Sequence, residues 1–107
     1  SRNLEDVMEA KIKLTKTMLD KAIIDANQSV RDFVKLFDVD YSEMESGDKV
    51  KLEAKFSDGT ESVLNLYRTN NARGDRRISI KGIKAQAEVG STVTLIKKRK
   101  RIVIEIH

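Results

Sequence analysis

"KVKLEAKFSDGTESVLNLY", residues 49–67, decides the fold class. Charged or polar residues alternate with apolar ones on both sides of Ser57-Asp58-Gly59-Thr60. A period of two is the signature of a strand with one buried face. Asp-Gly between two such runs marks a tight hairpin turn, because Gly accepts the positive φ that the turn needs. Residues 49–67 therefore predict two antiparallel strands packed on a core by one face and wetted on the other.

Working outward, "RRISIKGI" reads as the next strand, and "STVTLI" and "IVIEI" as a second hairpin turned by the basic run "KKRKR", residues 97–101. Upstream, "KIKLT" alternates like a strand. "KTMLDKA" has room for one or two helical turns and leads into the apolar "AIIDA". A single helix from Asn3 to Ala26 competes with this, but it would set Thr15 and Lys16 beside the apolar stripe. "SVRDFVKLFD" is the clearest helix, with Val30, Phe33, Val34 and Phe37 on one face. Ser29 followed by Asp32 predicts a capping box at its start. Asn3 is a candidate cap for a short helix through "LEDVMEA". Six or seven short strands with one main helix and no Pro predict a mainly β, α+β chain built on a strongly curved sheet or barrel.

Composition narrows the chemistry. At 107 residues the chain is one domain, and its lack of Cys excludes disulfides and thiolate metal sites and leans towards a reducing compartment. No apolar run reaches the roughly 20 residues of a membrane span, and no leader pattern opens the chain. The opening Ser1-Arg2, without an initiator Met, is expected of a fragment or a processed chain. Residues 1–46 hold seven Lys/Arg against ten Asp/Glu, and residues 47–107 hold fourteen against seven, around a net +4. A basic second half behind an acidic first half suits a polyanion partner, although surplus positive charge also serves solubility.

The lone histidine is the last residue, His107, so His-based nucleophiles and metal sites are not expected. Glu53-Ala54-Lys55 matches the E-x-K pairing of magnesium nucleases, but alternating charges on a wet strand produce it too. Arg73-Gly74-Asp75 spells an integrin tripeptide in a chain without the cysteines of adhesion modules. The KKRKR run has three readings: a nuclear-import signal, a charged tip that blocks edge pairing, and a phosphate grip holding Lys97, Lys98 and Arg99. Around residues 67–77, Arg68, Asn70, Asn71, Arg73, Arg76 and Arg77 surround Gly74. Arg forks match guanine O6 and N7 or a phosphate, and Asn matches adenine N6 and N7. The bland reading makes the asparagines and Gly74 turn formers and the arginines surface charge.

The order of parts resembles the DNA-binding pseudobarrel domains of plant auxin-response-type transcription factors and of the EcoRII-type restriction endonuclease effector domain. "KIKLTKTMLDKAIIDANQSVRDFVKLF" is similar to that family's first strand, arm, second strand and helix. "GDKVKLEAKFSDGTESVLNLYRTNNARGDRRISIKGI" is similar to its hairpin, second arm and next strand. "VGSTVTLIKK" resembles a late-strand entry, with Ser91 where Asp is usual. The resemblance covers about residues 11–98, and it implies a six- to seven-stranded open pseudobarrel over 11–107 behind a helix or linker at 1–10. It implies two arms straddling the major groove of double-stranded DNA. Lys13, Thr15 and Lys16 fall in the first arm, with Asn27, Gln28, Ser29 and Arg31 beside it; Arg68, Thr69, Asn70, Asn71, Arg73 and Arg76 fall in the second. The expectation is a recognition module without catalysis, cofactor, metal, membrane or small-molecule substrate. It belongs to a cytoplasmic, nucleoid-associated bacterial restriction endonuclease or regulator, with that protein's other domains as possible partners. The plant members' tryptophan near the second arm has no counterpart, and the family pattern has no secure place for the KKRKR tip.

Overall fold

The computed structural model describes residues 9–107. Seven strands form one sheet: β1 (Glu9–Lys13), β2 (Ile24–Asp25), β3 (Lys49–Phe56), β4 (Glu61–Arg68), β5 (Arg76–Ile80), β6 (Thr92–Lys98) and β7 (Arg101–Ile106). The order is β1-β6-β7-β3-β4-β5-β2, and the sheet curls into an open half-barrel. Helices α1 (Lys16–Lys21), α2 (Gln28–Val34) and α3 (Ile83–Gln86) complete an α+β chain that is mostly strand.

The central hairpin forms as its alternation predicts. Leu52 faces Leu64 and Val50 faces Leu66 across β3–β4, while Lys55 faces Glu61 on the wet side. Gly59 turns the chain at φ +92°. The second hairpin is tighter than the basic run suggests. Lys98 pairs with Arg101, so only Arg99 and Lys100 turn, with Arg99 at φ 60°. Every neighbouring strand pair is antiparallel except one: β7 lies parallel to β3 over three residues, Ala54–Phe56 against Ile102–Ile104.

One core fills the curl. Leu64, Leu66, Ile78, Val93, Leu95, Ile102 and Ile104 point into it from the strands, and Val30, Phe33 and Val34 close it from α2. Each such side chain contributes roughly 1.5–3 kcal/mol by leaving water. Tyr41 is buried too, and its hydroxyl donates to the Arg77 carbonyl at 2.8 Å. Burial pushes that phenol above its ordinary range.

Local expectations fare unequally. The chain breaks after β1 rather than running as one helix: Thr15 caps α1 by accepting from Met18 N–H at 3.2 Å. The Ser29–Asp32 capping box does not form. Asn27 caps α2 instead, its Oδ1 accepting from Val30 N–H at 2.9 Å. Ser29 Oγ accepts from Lys11 N–H at 3.2 Å, because β1 lies alongside and its backbone needs a partner. The helix expected through residues 4–10 falls mostly outside the described residues. Glu9 and Ala10, which are described, belong to β1. No helix among the described residues is long and apolar enough to cross a membrane.

Candidate nucleic-acid interface

The loop between β4 and β5 is built from its own polar side chains. Arg68, the last residue of β4, folds back across the loop. Its Nε donates to the Gly74 carbonyl at 3.2 Å and its Nη1 to the Met44 carbonyl at 2.7 Å. Gly74 lies under that guanidinium at φ +59°, where a Cβ would stand 2.6 Å from Arg68 Nε. Asn71 Oδ1 accepts from Thr69 Oγ1, Arg73 N–H and Gly74 N–H at 3.0, 3.1 and 2.8 Å. Thr69 Oγ1 in turn accepts from Asp75 N–H at 2.8 Å. The Asp75 carboxylate accepts from Arg77 Nη2 at 3.1 Å and meets Arg73 Nε at 3.4 Å. Arg77 Nε is buried without a hydrogen bond, 3.8 Å from Asp25 Oδ1.

Arg68, Thr69, Asn71, Asp75 and Arg77 thus hold the loop's shape. Asn70, Arg73 and Arg76 remain exposed on it. The Arg73 side chain is 83% exposed, so its contact with Asp75 is screened by water and worth little.

Asn27, Gln28, Arg31 and Thr15, also expected at the contact surface, are tied into the fold. Asn27 caps α2 and donates through Nδ2 to the Lys11 carbonyl at 3.2 Å. Arg31 donates to the Ala26 carbonyl at 2.6 Å and to Gln28 Oε1 at 2.7 Å. Gln28 Nε2 donates to Asp32 at 2.8 Å. Thr15 caps α1, and Lys16 pairs with Asp20 at 2.6 Å on an exposed turn. Lys13 is exposed at the end of β1. On the second hairpin Lys97 is half-buried, with Nζ 5.7 Å from the centre of the Phe37 ring, a cation–π arrangement. Lys98, Arg99 and Lys100 are exposed and form no ion pair among the described residues.

The strand pairings decide which of these groups share a surface. The β4–β5 loop leaves beside Arg68 and Arg76, at the end of the sheet where β3 starts. The β6–β7 turn points towards that same end but stops short of it: β7 runs parallel to β3 with Ile102 beside Ala54, so Arg101 is level with Glu53 and not with Lys49, where β3 starts. The β1–β2 connection, with Thr15 and Lys16, lies at the opposite end: Lys13 faces Thr92 and β2 enters beside Ile78. Asn70, Arg73 and Arg76 therefore lie towards the same end of the sheet as Lys98–Lys100, which are set back along the strands, and the first arm does not. The order β6-β7-β3-β4-β5 separates the two cationic elements by three strand spacings. That is about 14 Å along the sheet at about 4.8 Å per strand.

The segment 38–48, which the sequence marks only as an acidic loop, runs between these elements. It starts after Phe37, beside Lys97, and ends at the base of the β4–β5 loop. Gly47 N–H donates to the Arg68 carbonyl at 2.9 Å and Arg68 N–H to the Asp48 carbonyl at 3.1 Å. Asp38, Asp40, Glu43, Glu45 and Asp48 supply five carboxylates with no intervening cation. The Asp40 carboxyl is held below its ordinary range by Ser42, through its hydroxyl and its backbone N–H, and secondarily by Lys35 and Arg76.

A separate cleft of 520 Å³ on the outer face of β7, β3 and β4 holds Glu53, Lys55, Glu61, Lys81 and Arg101. The E-x-K tripeptide points there as part of an alternating wet face, with Glu61 across from Lys55. No group of three His, Cys, Asp or Glu side chains among the described residues is placed to hold a metal ion. No family model, no curated protein and no solved structure matches this chain.

Proposed function

We propose that this chain is a double-stranded DNA-binding module whose contact surface is the sheet end carrying Asn70, Arg73, Arg76 and Lys98–Lys100. One observation supports this above all. A loop stiffened by its own hydrogen bonds presents exposed guanidinium and carboxamide groups towards the same end of the sheet as a second cationic turn. Phosphates would take Lys98, Arg99 and Lys100, fixing position and supplying affinity. Asn70, Arg73 and Arg76 would reach base edges and choose sequence. Arg68, Asn71 and Arg77 act indirectly, by fixing the loop before DNA arrives, which lowers the ordering cost of binding.

This revises the two-arm expectation. The second arm keeps its role, the basic hairpin turn replaces the first arm, and Asn27, Gln28 and Arg31 leave the contact set. The curled seven-stranded sheet is compatible with a pseudobarrel recognition domain of a bacterial restriction endonuclease or regulator, which is the parent we propose. A docking face for an acidic protein is the alternative.

The test is a titration of labelled random-sequence duplex at two salt concentrations. Three to five phosphate contacts give a log–log slope of about −2.7 to −4.5 at 0.9 per contact, a roughly forty- to five-hundredfold loss between about 50 and 200 mM salt. No binding at the lower concentration, or binding indifferent to salt, would overturn the proposal.

A further inference from the structure

We infer that the first half of β3, residues 49–52, is a docking edge for an extended peptide that alternates acidic and apolar residues. Its groups are not those assigned to the duplex, and the edge stands whether or not a duplex binds.

β4 flanks β3 from Lys49 to Lys55, but on the other side β7 pairs only with Ala54–Phe56. Phe56 N–H donates to the Thr60 carbonyl and Arg68 N–H to the Asp48 carbonyl, so the even positions of β3 are those that bond to β4. Lys49 and Lys51 therefore turn their N–H and C=O groups to the unflanked side, where neither has a hydrogen-bond partner among the described residues. The outer edge of β1 is treated differently: at Lys11, Ser29 Oγ accepts from the N–H and Asn27 Nδ2 donates to the carbonyl.

The core is open at the same place. Ala54 and Phe56 point inward beside β7 and are 7% and 2% exposed. Val50 and Leu52 point inward too, but no strand among the described residues flanks them on that side, and they are only half-buried. A 410 Å³ groove lies against them, walled also by Phe37 and Met44.

Sideways-facing backbone groups are matched by another extended backbone, the pairing that peptide-binding sheet edges use. A strand laid there sets alternate residues beside Lys49 and Lys51 on the wet face, and the others over Val50, Leu52 and Phe37. The two lysines are exposed, face Tyr67 and Asn65 across β4 rather than a carboxylate, and make no ion pair. Carboxylates answer them, and aliphatic side chains fill the groove. Asp38, Asp40 and Glu43 also line that groove, so a one-residue slip that turned the acidic residues inward is disfavoured. A second copy's β3 would set lysine against lysine, which destabilises pairing.

The test uses fluorescence polarisation in low salt with three labelled short peptides. One alternates valine and glutamate, one has the same composition with the glutamates grouped at one end, and one alternates valine and lysine. The alternating valine–glutamate peptide should bind best. Lys49→Glu/Lys51→Glu should weaken it by about two- to thirtyfold, the effect of two opposite-charge cross-strand pairs, and should switch the preference to valine–lysine. Both positions are exposed, so the variant should melt like the wild type. N-methylating alternate amides of the peptide, in each of the two frames, reads main-chain pairing. The frame facing β3 should lose binding, and the frame facing away should keep it.

Equal affinity for the alternating and grouped peptides, equal behaviour of the two N-methylated frames, or an unswitched preference in the double variant would overturn the inference. So would a wild type that does not bind the valine–glutamate peptide. Amide shifts at residues 49–52 on diluting the protein alone, or on deleting residues 1–8, would give the edge to a second copy or to the chain's own start, and overturn it too. None of these results bears on duplex binding.

Discussion

Replacing Gly74 with alanine sets a methyl carbon 2.6 Å from Nε and 2.8 Å from Nη2 of Arg68, at φ +59°. Two costs follow. The left-handed backbone disfavours any L side chain by roughly 1–2 kcal/mol. The guanidinium must also move, which breaks its bonds to the Gly74 and Met44 carbonyls. Hydrogen bonds from a charged donor contribute about 1.5–3 kcal/mol each when buried. Arg68 is half-buried and flexible, so about 1–2 kcal/mol is the expected loss from this source. Gly59→Ala is the control: Gly59 also has positive φ, +92°, but a Cβ there meets nothing within 4 Å. Both variants lose unfolded-state entropy, and the backbone strain at Gly59, whose φ lies outside the left-handed well, is at least that at Gly74, so the comparison understates the clash. Their difference in urea unfolding free energy reports the Arg68 clash, with Gly74→Ala the less stable by about 1–2 kcal/mol. Equal destabilisation of the two would refute the assignment of Arg68 as the loop's strut.

Asn27→Ala should cost about 1–2 kcal/mol in thermal or urea unfolding, since it removes a helix cap together with a bond to β1. Ser29→Ala, which the sequence alone would have made the more damaging, should cost less. In duplex selection, Arg73→Ala should relax base preference at a cost of about 1–3 kcal/mol, whereas Lys98→Ala should weaken all sequences alike and reduce the salt slope by about 1. Identical behaviour of the two variants would contradict the division between reading and gripping. Asp58 is held below its ordinary 3.8, first by Thr60 and then by Gln86, and Asp40 likewise by Ser42. Both are harder to protonate folded than unfolded, so their contribution is present above about pH 4 and is lost as the pH falls through the folded values. Melting temperature should drop on acidification below pH 4, and Asp58→Asn should shallow that drop.

The parts legible in the sequence were those with a short-range cause. Alternation and Asp58-Gly59 gave away the β3–β4 hairpin, and the apolar spacing of Val30, Phe33, Val34 and Phe37 revealed α2. Its cap was less legible, because Asn27 and Ser29 are both competent and the choice is made by β1, a neighbour distant in the chain. The parallel seam between β3 and β7 is likewise non-local, and β2, at two residues, is too short to show any period. Arginine was the hardest residue to read. Arg31, Arg68 and Arg73 look alike in a string. The first two are satisfied by carbonyls, at Ala26 for one and at Met44 and Gly74 for the other, and the 24-residue separation of Arg68 from Met44 leaves no trace in local pattern. The acidic composition of 38–48 was plain, but its place between two cationic elements depends on where β3, β4 and β7 start and stop.

Amide chemical-shift mapping of isotopically labelled protein titrated with duplex in low salt measures the proposed surface directly. Perturbations should concentrate together at residues 70–76 and 98–101, and leave α1 and the outer cleft around Lys55 and Lys81 unmoved. Shifts centred on that cleft or on Lys13–Lys21, or no shifts at all, would contradict the account.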